Sequence, residues 1–217
     1  MGYSPDAFVQ MAIQLATYRL WGELGATYEA TQTRIFLHGR TETTRAVSPA
    51  SAAFCARMGL TPTQEENATA ELLARTEKLA LLQKAVQSHV AYIAEAAKGK
   101  GVDRHFLGLH LLVGADEKAP DLFSNPLYQK SKTWRVSTSH LTHPHFDNWG
   151  FGQVVPHGVG IGYSVKKDCC VFNLTARRQW DWTEALAYLL EEALLEMRTL
   201  HSDKGRAHSP PQLGSKL

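Results

Sequence analysis

The chain reads as a mixed α/β protein on three observations. Tyr28, Ala30, Gln32, Arg34 and Phe36 alternate with Thr27, Glu29, Thr31, Thr33 and Ile35, the two-residue period of an extended strand with two distinct faces. Residues 160–165 and 169–175 flank Lys166-Lys167-Asp168 as the arms of a hairpin. Helical periods stand on either side of these strands. Leu72, Leu79, Leu82, Val86, Val90, Ile93 and Ala97 recur on one face of residues 63–98, and Leu186, Leu189, Leu190, Ala193, Leu194 and Met197 do so over residues 181–200. Interleaved helices and strands predict an α/β class, with fewer strands than a self-sufficient sheet usually has.

Taken in order, Ser4-Pro5-Asp6 opens the first helix with a hydroxyl N-cap, a proline at the first helical position and an acid in the first turn. That helix runs to about Glu23. Asp6, Gln10, Gln14 and Thr17 form one narrow polar stripe on it, and nearly everything else is apolar. Such a helix belongs inside a larger body, which predicts that part of its covering comes from outside this chain. After the strand at 27–36, His38-Gly39-Arg40 turns into Thr41-Glu42-Thr43. Residues 48–58 predict a short helix, interrupted by Gly59-Leu60-Thr61-Pro62. The long helix follows, with Glu65 and Glu66 near its start and Gly99-Lys100-Gly101 at its end. Asp103 reads as the cap of a further helix carrying Phe106, Leu107, Leu109, Leu111 and Leu112. Residues 120–132 read as short helical turns, 133–138 as a strand and 139–148 as a polar loop. The organisation predicted is one body over residues 1–200 and a flexible Pro/Gly/Ser/His-rich tail over 201–217.

Composition narrows the function. Hydrophobic residues at 44% and charged residues at 20% suit a globular protein with a sizeable core. A net charge of +2, with no basic cluster interleaved with aromatics, argues against nucleic acid as a partner. No apolar run reaches membrane-spanning length, and the N-terminus lacks a signal-peptide pattern. The three cysteines, two of them adjacent (Cys169-Cys170), read as buried thiols in a reducing compartment. His140, His143 and His145 do not fall on one helix face, and Pro144 stiffens their loop, so they predict no metal site. The terminal Ser215-Lys216-Leu217 has the form of a peroxisomal import address, which a receptor reads, and it predicts a peroxisomal location.

The stretch TYEATQTRIFLHGRTETTRA at 27–46, read on its residues alone, is an ordinary β-hairpin with threonines suited to strands. It also resembles the carnitine/choline acyltransferase family, in which Thr-Tyr-Glu is followed by Gly-Arg-Thr-Glu-Thr and then Arg-Ser/Ala. Further blocks agree in the family's order: SPDAFVQMAIQLATYR at 4–19, DRHFLGLHLL at 103–112, and WRVSTS at 134–139 with VVPHGVGIGY at 154–163. The resemblance runs from Ser4 to about Leu200. It implies the C-terminal part of a two-domain chloramphenicol-acetyltransferase-like, CoA-dependent acyltransferase fold, incomplete on its own. The activity implied is transfer of an acyl group between coenzyme A and carnitine in fatty-acid metabolism. The alternative is a truncated form that binds carnitine or a partner chain and turns nothing over.

The same resemblance assigns residues. Carnitine carries a carboxylate, a hydroxyl and a trimethylammonium, so its site needs a guanidinium with hydroxyls and an aromatic face. The positions that match the family's carboxylate ligands are Tyr28, Thr41 and Arg104. Phe151 matches the aromatic beside the trimethylammonium, and Ala30 a small lining residue. Choline-using relatives have Val-Asp-Asn where this chain has Thr41-Glu42-Thr43, which favours a ligand with a carboxylate. Ser139 matches a serine that supports the transition state. Asp6 and His140 match positions bordering coenzyme A, the co-substrate. By residue type alone, Arg104 reads as a helix-surface arginine or one paired with Asp103 or Glu117, and Tyr28 and Thr41 can equally be residues that pack a strand. His143-Pro-His-Phe-Asp147 has the spacing of the family's catalytic His-x-x-x-Asp, but Asn148 stands where the family has Gly. The general-base histidine is thus expected in an N-terminal half that this chain lacks, and that half is a candidate partner.

Overall fold

In the computed structural model, which describes residues 2–62, 65, 67–114 and 116–201, five strands form one mixed sheet in the order β2-β1-β3-β4-β5. The chain runs α1 (Pro5–Trp21), β1 (Thr27–Gln32), β2 (Thr41–Arg45), α2 (Pro49–Met58), α3 (Ala68–Ala96), α4 (Val102–Leu111), α5 (Asp121–Ser124), α6 (Pro126–Ser131) and β3 (Val136–His140). It continues with β4 (Val159–Val165), β5 (Cys170–Ala176), a 3-10 turn (Arg178–Trp180) and α7 (Trp182–Thr199). The central strands β1, β3 and β4 are parallel, and the edges β2 and β5 pair antiparallel. The α/β class follows the sequence reading.

α1 is the axis of the core. Ser4 Oγ accepts from the Ala7 N–H, and Gly22 closes the other end in the left-handed conformation with its N–H on Tyr18 O. Met11, Ile13 and Leu15 are buried among Phe54 and Met58 of α2, Leu82 and Val86 of α3, Ile161 of β4, and Leu186 and Met197 of α7. This chain therefore covers its own first helix, which corrects the expectation of an outside covering.

The polar stripe on α1 faces the sheet. Gln10 and Gln14 are fully buried. Gln10 Nε2 donates to Thr138 Oγ1 (2.9 Å) and Tyr163 OH (3.0 Å), and Thr27 Oγ1 donates to Gln14 Oε1 (3.2 Å). These partners replace water for one end of each amide, while Gln10 Oε1 and Gln14 Nε2 are buried without a partner among the described residues. The stripe is a helix-to-sheet seam.

Several boundaries shift for local reasons. β1 stops at Gln32 because the chain then turns: Thr33 N–H still bonds in register to Arg40 O, but Phe36 N–H bonds back to Thr33 O and Gly39 N–H to Phe36 O, with His38 in the left-handed region. Arg34 and Phe36 thus leave the alternation, and Ile35 and Leu37 are exposed at the loop tip. α3 begins at Ala68, capped by Asn67 Oδ1. α4 has Gly101 as its N-cap rather than Asp103, whose carboxylate is engaged by Arg45 within the first turn. β3 extends through Ser139 and His140, read from sequence as loop. Cys55 is buried, but Cys169 and Cys170 are exposed, against the sequence reading. No described helix is long and apolar enough to cross a membrane. Ser215-Lys216-Leu217 and the rest of 202–217 lie outside the described residues.

Candidate functional site

Strand register sorts the predicted residues by face. Tyr28 pairs with Arg45, Ala30 with Thr43 and Gln32 with Thr41, so these six share one face of the β1–β2 ladder. Tyr28 also lies beside Ser137 of β3, and Ser139, two residues further along β3, returns to that face. Glu29, Thr31, Thr44 and Thr138 point the other way, into the helix layer. The β-alternation thus places Tyr28, Ala30, Thr41 and Ser139 on one surface, with buried Thr43 between them.

α4 brings Arg104 to that surface. Its Nε donates to Thr41 O (3.1 Å) and its Nη2 to Thr41 Oγ1 (3.4 Å). Neither sequence alternative for its partner holds. Asp103 is taken by Arg45 in a two-point pair (2.9 and 2.7 Å), and Glu117 accepts from the Gly114 N–H. Among the described residues no carboxylate pairs with the Arg104 guanidinium, which is exposed. Arg45 also stacks over Trp134 (4.8 Å), whose ring meets Tyr28 edge-on (5.7 Å).

Phe151 reaches the same face by a close backbone approach. Gly160 stands beside Ser137, and Gly162 beside Ser139. A Cβ on Gly160 would lie 3.0 Å from Phe151 O, and one on Gly162 would lie 2.9 Å from Trp149 O. The two glycines let residues 149–152 lie directly on β4. Thr175 Oγ1 donates to Phe151 O (2.7 Å), and Trp149 stacks on Phe151.

Asp6 and His140 are brought together elsewhere, on the helix face. Asp6 Oδ1 accepts from Tyr163 OH (2.6 Å), the Tyr163 ring packs against His140 (5.1 Å), and His140 Nε2 accepts from the Val165 N–H. The two predicted sets thus occupy opposite faces of the sheet.

Residues 1–192 match the Choline/Carnitine o-acyltransferase family. The chain belongs to that family. It is 40% identical over 207 residues to mouse carnitine O-acetyltransferase, covering 94% of this chain and 32% of the relative. Yeast mitochondrial carnitine O-acetyltransferase is 39% identical over 174 residues, 80% of this chain and 24% of the relative. Rat choline O-acetyltransferase is 32% identical over 212 residues, 96% and 32% respectively. The chain thus spans a third or less of the length of these relatives.

Sequence reading missed a buried cluster behind β1. Glu29 Oε2 and His89 Nε2 are 2.6 Å apart, and the ligand atoms of Asp6, Glu29 and His89 all lie within 4.8 Å of one another. Two carboxylates and an imidazole are a donor set for a divalent metal. Here, however, Glu29 Oε2 and His89 Nε2 are hydrogen-bonded to each other, which satisfies both without an ion. Burial pushes the Glu29 carboxyl up to about 7, against the pull of His89, with Asp6 adding to the rise. Burial pulls His89 down, but the hydrogen bond and charge of Glu29 outweigh it and hold the imidazole above its ordinary value. The only hint in the sequence was an acid at an inward position of a strand.

Proposed function

We propose that this chain is the carnitine-binding portion of a carnitine O-acyltransferase, catalysing acyl-CoA + carnitine ⇌ acylcarnitine + CoA in fatty-acid metabolism. The observation that carries the reading is Arg104, an exposed guanidinium held against Thr41 with no carboxylate partner among the described residues. It is a ready receptor for a ligand carboxylate, which choline lacks and carnitine has. Tyr28 and Thr41 supply hydroxyls on the same face, Ala30 leaves room beside them, and Phe151 offers an aromatic surface to a quaternary ammonium. Ser139 is the hydroxyl assigned to the developing oxyanion. Coenzyme A is the co-substrate, with Asp6 and His140 on its side of the sheet. The general base belongs to the family's length that this chain does not span. That remainder is also the proposed partner of α4, none of whose residues is buried here and whose Leu107, Leu109 and Leu111 are exposed.

Calorimetric titration tests the site. Carnitine should bind the 217-residue chain, choline should bind far more weakly, and Arg104→Ala should remove about 1.5–3 kcal/mol of carnitine affinity, the range of a charged hydrogen bond. Equal binding of choline and carnitine would overturn the carboxylate reading. For location, we propose that Ser215-Lys216-Leu217 directs the protein to peroxisomes. A reporter fused so as to leave this C-terminus free should reach them and should lose that location when the three residues are deleted; identical distributions would dismiss the address.

A further inference from the structure

The helix that carries Arg104 starts at an N-cap residue with no side chain to bond its first turn. Gly101 makes no side-chain hydrogen bond to the first turn of α4, and a carboxylate from β2 serves that end instead. Glu42 is 2% exposed. Its Oε1 accepts from the Thr43 N–H (2.7 Å) and the Arg104 N–H (3.4 Å). Gly101 passes so near that a Cβ on it would lie 2.4 Å from Glu42 Cγ, so the missing side chain is what lets the strand's carboxylate meet the helix.

Among the described residues no Lys or Arg forms an ion pair with Glu42. A buried anion without a cation is costly unless N–H groups and a helix N-terminus oppose it, and both do here. The N–H that Glu42 takes belongs to Arg104 itself, whose guanidinium folds back onto Thr41, the residue before Glu42. Two adjacent residues of β2 therefore grip both ends of one arginine. Arg45, three residues on, holds the neighbouring Asp103.

We propose that Glu42 is a positioning residue for Arg104, setting the start of α4 so that the guanidinium is presented beside Thr41 to the carboxylate of a zwitterionic substrate. The proposal rests on the reading of Arg104 as the carnitine carboxylate ligand. Its effect falls on ligands that carry a carboxylate, because Glu42 acts only through the guanidinium and is itself shut away from solvent.

The test combines amide hydrogen exchange and arginine Nε–H resonances with carnitine titration of the 217-residue chain. Glu42→Ala should speed exchange at the Arg104 amide about tenfold, shift the Arg104 Nε–H resonance, and weaken carnitine about tenfold, while exchange in β3 and β4 stays unchanged. Gly101→Ala should reproduce these changes by displacing the carboxylate. Glu42→Gln keeps an oxygen acceptor and the side-chain shape, so it should lose only about two- to threefold, which guards against a folding failure of the alanine variant. Glu42→Ala combined with Arg104→Ala should bind carnitine no more weakly than Arg104→Ala alone. Unchanged Arg104 exchange and Nε–H resonance in Glu42→Ala and Gly101→Ala would overturn the positioning role, as would additive losses in the double variant. If wild-type chain fails to bind carnitine, the ligand reading falls, while the exchange result still decides whether Glu42 sets Arg104.

Discussion

Glu29 and His89 stand sixty positions apart in the sequence and share a 2.6 Å hydrogen bond in the buried seam between β1 and α3. Burial holds Glu29 at about 7, against an ordinary 4.5, and Glu29 in turn holds His89 above its ordinary 6.5. Both groups keep protons in the fold that the unfolded chain releases. Their stabilisation is complete below about 4.5 for Glu29 and is lost as pH rises through about 7, and His89 works in the same direction at higher pH. Asp6 faces the pair from α1 and strengthens this retention. The urea midpoint of the chain should therefore fall between about pH 5 and pH 8, and Glu29→Gln combined with His89→Gln should flatten the slope. A midpoint that climbs over this range in the unaltered chain would contradict the assignment.

Arg45 predicts that lysine is no substitute for arginine at the β2–α4 joint. Its fork takes both oxygens of Asp103, its third nitrogen donates to Ser131 O (2.7 Å), and its plane lies on Trp134. A lysine keeps the charge and loses the fork and the stack. Arg45 is partly open to solvent, so screening limits the cost to about 1 kcal/mol. Thermal unfolding of Arg45→Lys should show that loss, and an unchanged midpoint would mean the fork contributes nothing net.

The parts of the fold that were legible in the sequence are those written locally. Ser4-Pro5-Asp6 marks the start of α1, and the leucine period marks α7, because caps and amphipathic faces depend on near neighbours. The end of β1 was not legible, since it depends on the turn in which Phe36 N–H bonds back to Thr33 O and Gly39 N–H to Phe36 O rather than on strand propensity. Asp103 read as a cap because its distant partner Arg45 was invisible. The site residues came from resemblance, and β-register explains why Tyr28, Ala30 and Thr41 share a face. Nothing in the sequence indicated that the polar stripe of α1 looks inward, because that needs Thr138 and Tyr163, more than 120 residues away.

That inward stripe gives a graded prediction. Gln10→Met keeps the bulk and removes the donor, yet Thr138 still donates to Tyr28 O and Tyr163 still donates to Asp6. The cost should be about 1 kcal/mol. Tyr163→Phe leaves Asp6 without its donor and the Gln10 amide with one partner fewer, so about 1–3 kcal/mol should be lost. Urea denaturation of the two variants should rank them in that order, and the reverse ranking would place the seam's weight on Gln10.

Arg19 predicts a coupled loss at the junction of α1 and α7. Its side chain is fully buried and meets Glu192 (3.2 Å), Glu196 (2.6 Å) and the Gly59 carbonyl. Arg19→Met fills the space and leaves two like charges one helical turn apart. Both glutamates keep some solvent, so the loss should be about 2–4 kcal/mol, short of that for a fully enclosed pair. Replacing both glutamates with glutamine in the same chain should recover much of it. Cys55 supplies an independent readout, because burial pushes its thiol up to about 12 while Arg19 alone pulls it down. At neutral pH a thiol reagent should label the exposed Cys169 and Cys170 in the folded chain and reach Cys55 only on opening. In Arg19→Met, Cys55 should label faster even though its thiol has lost a favourable charge, because α7 separates from α1 more often. Slower Cys55 labelling with unchanged stability would show that Arg19 acts there only through its charge and does not hold the two helices together.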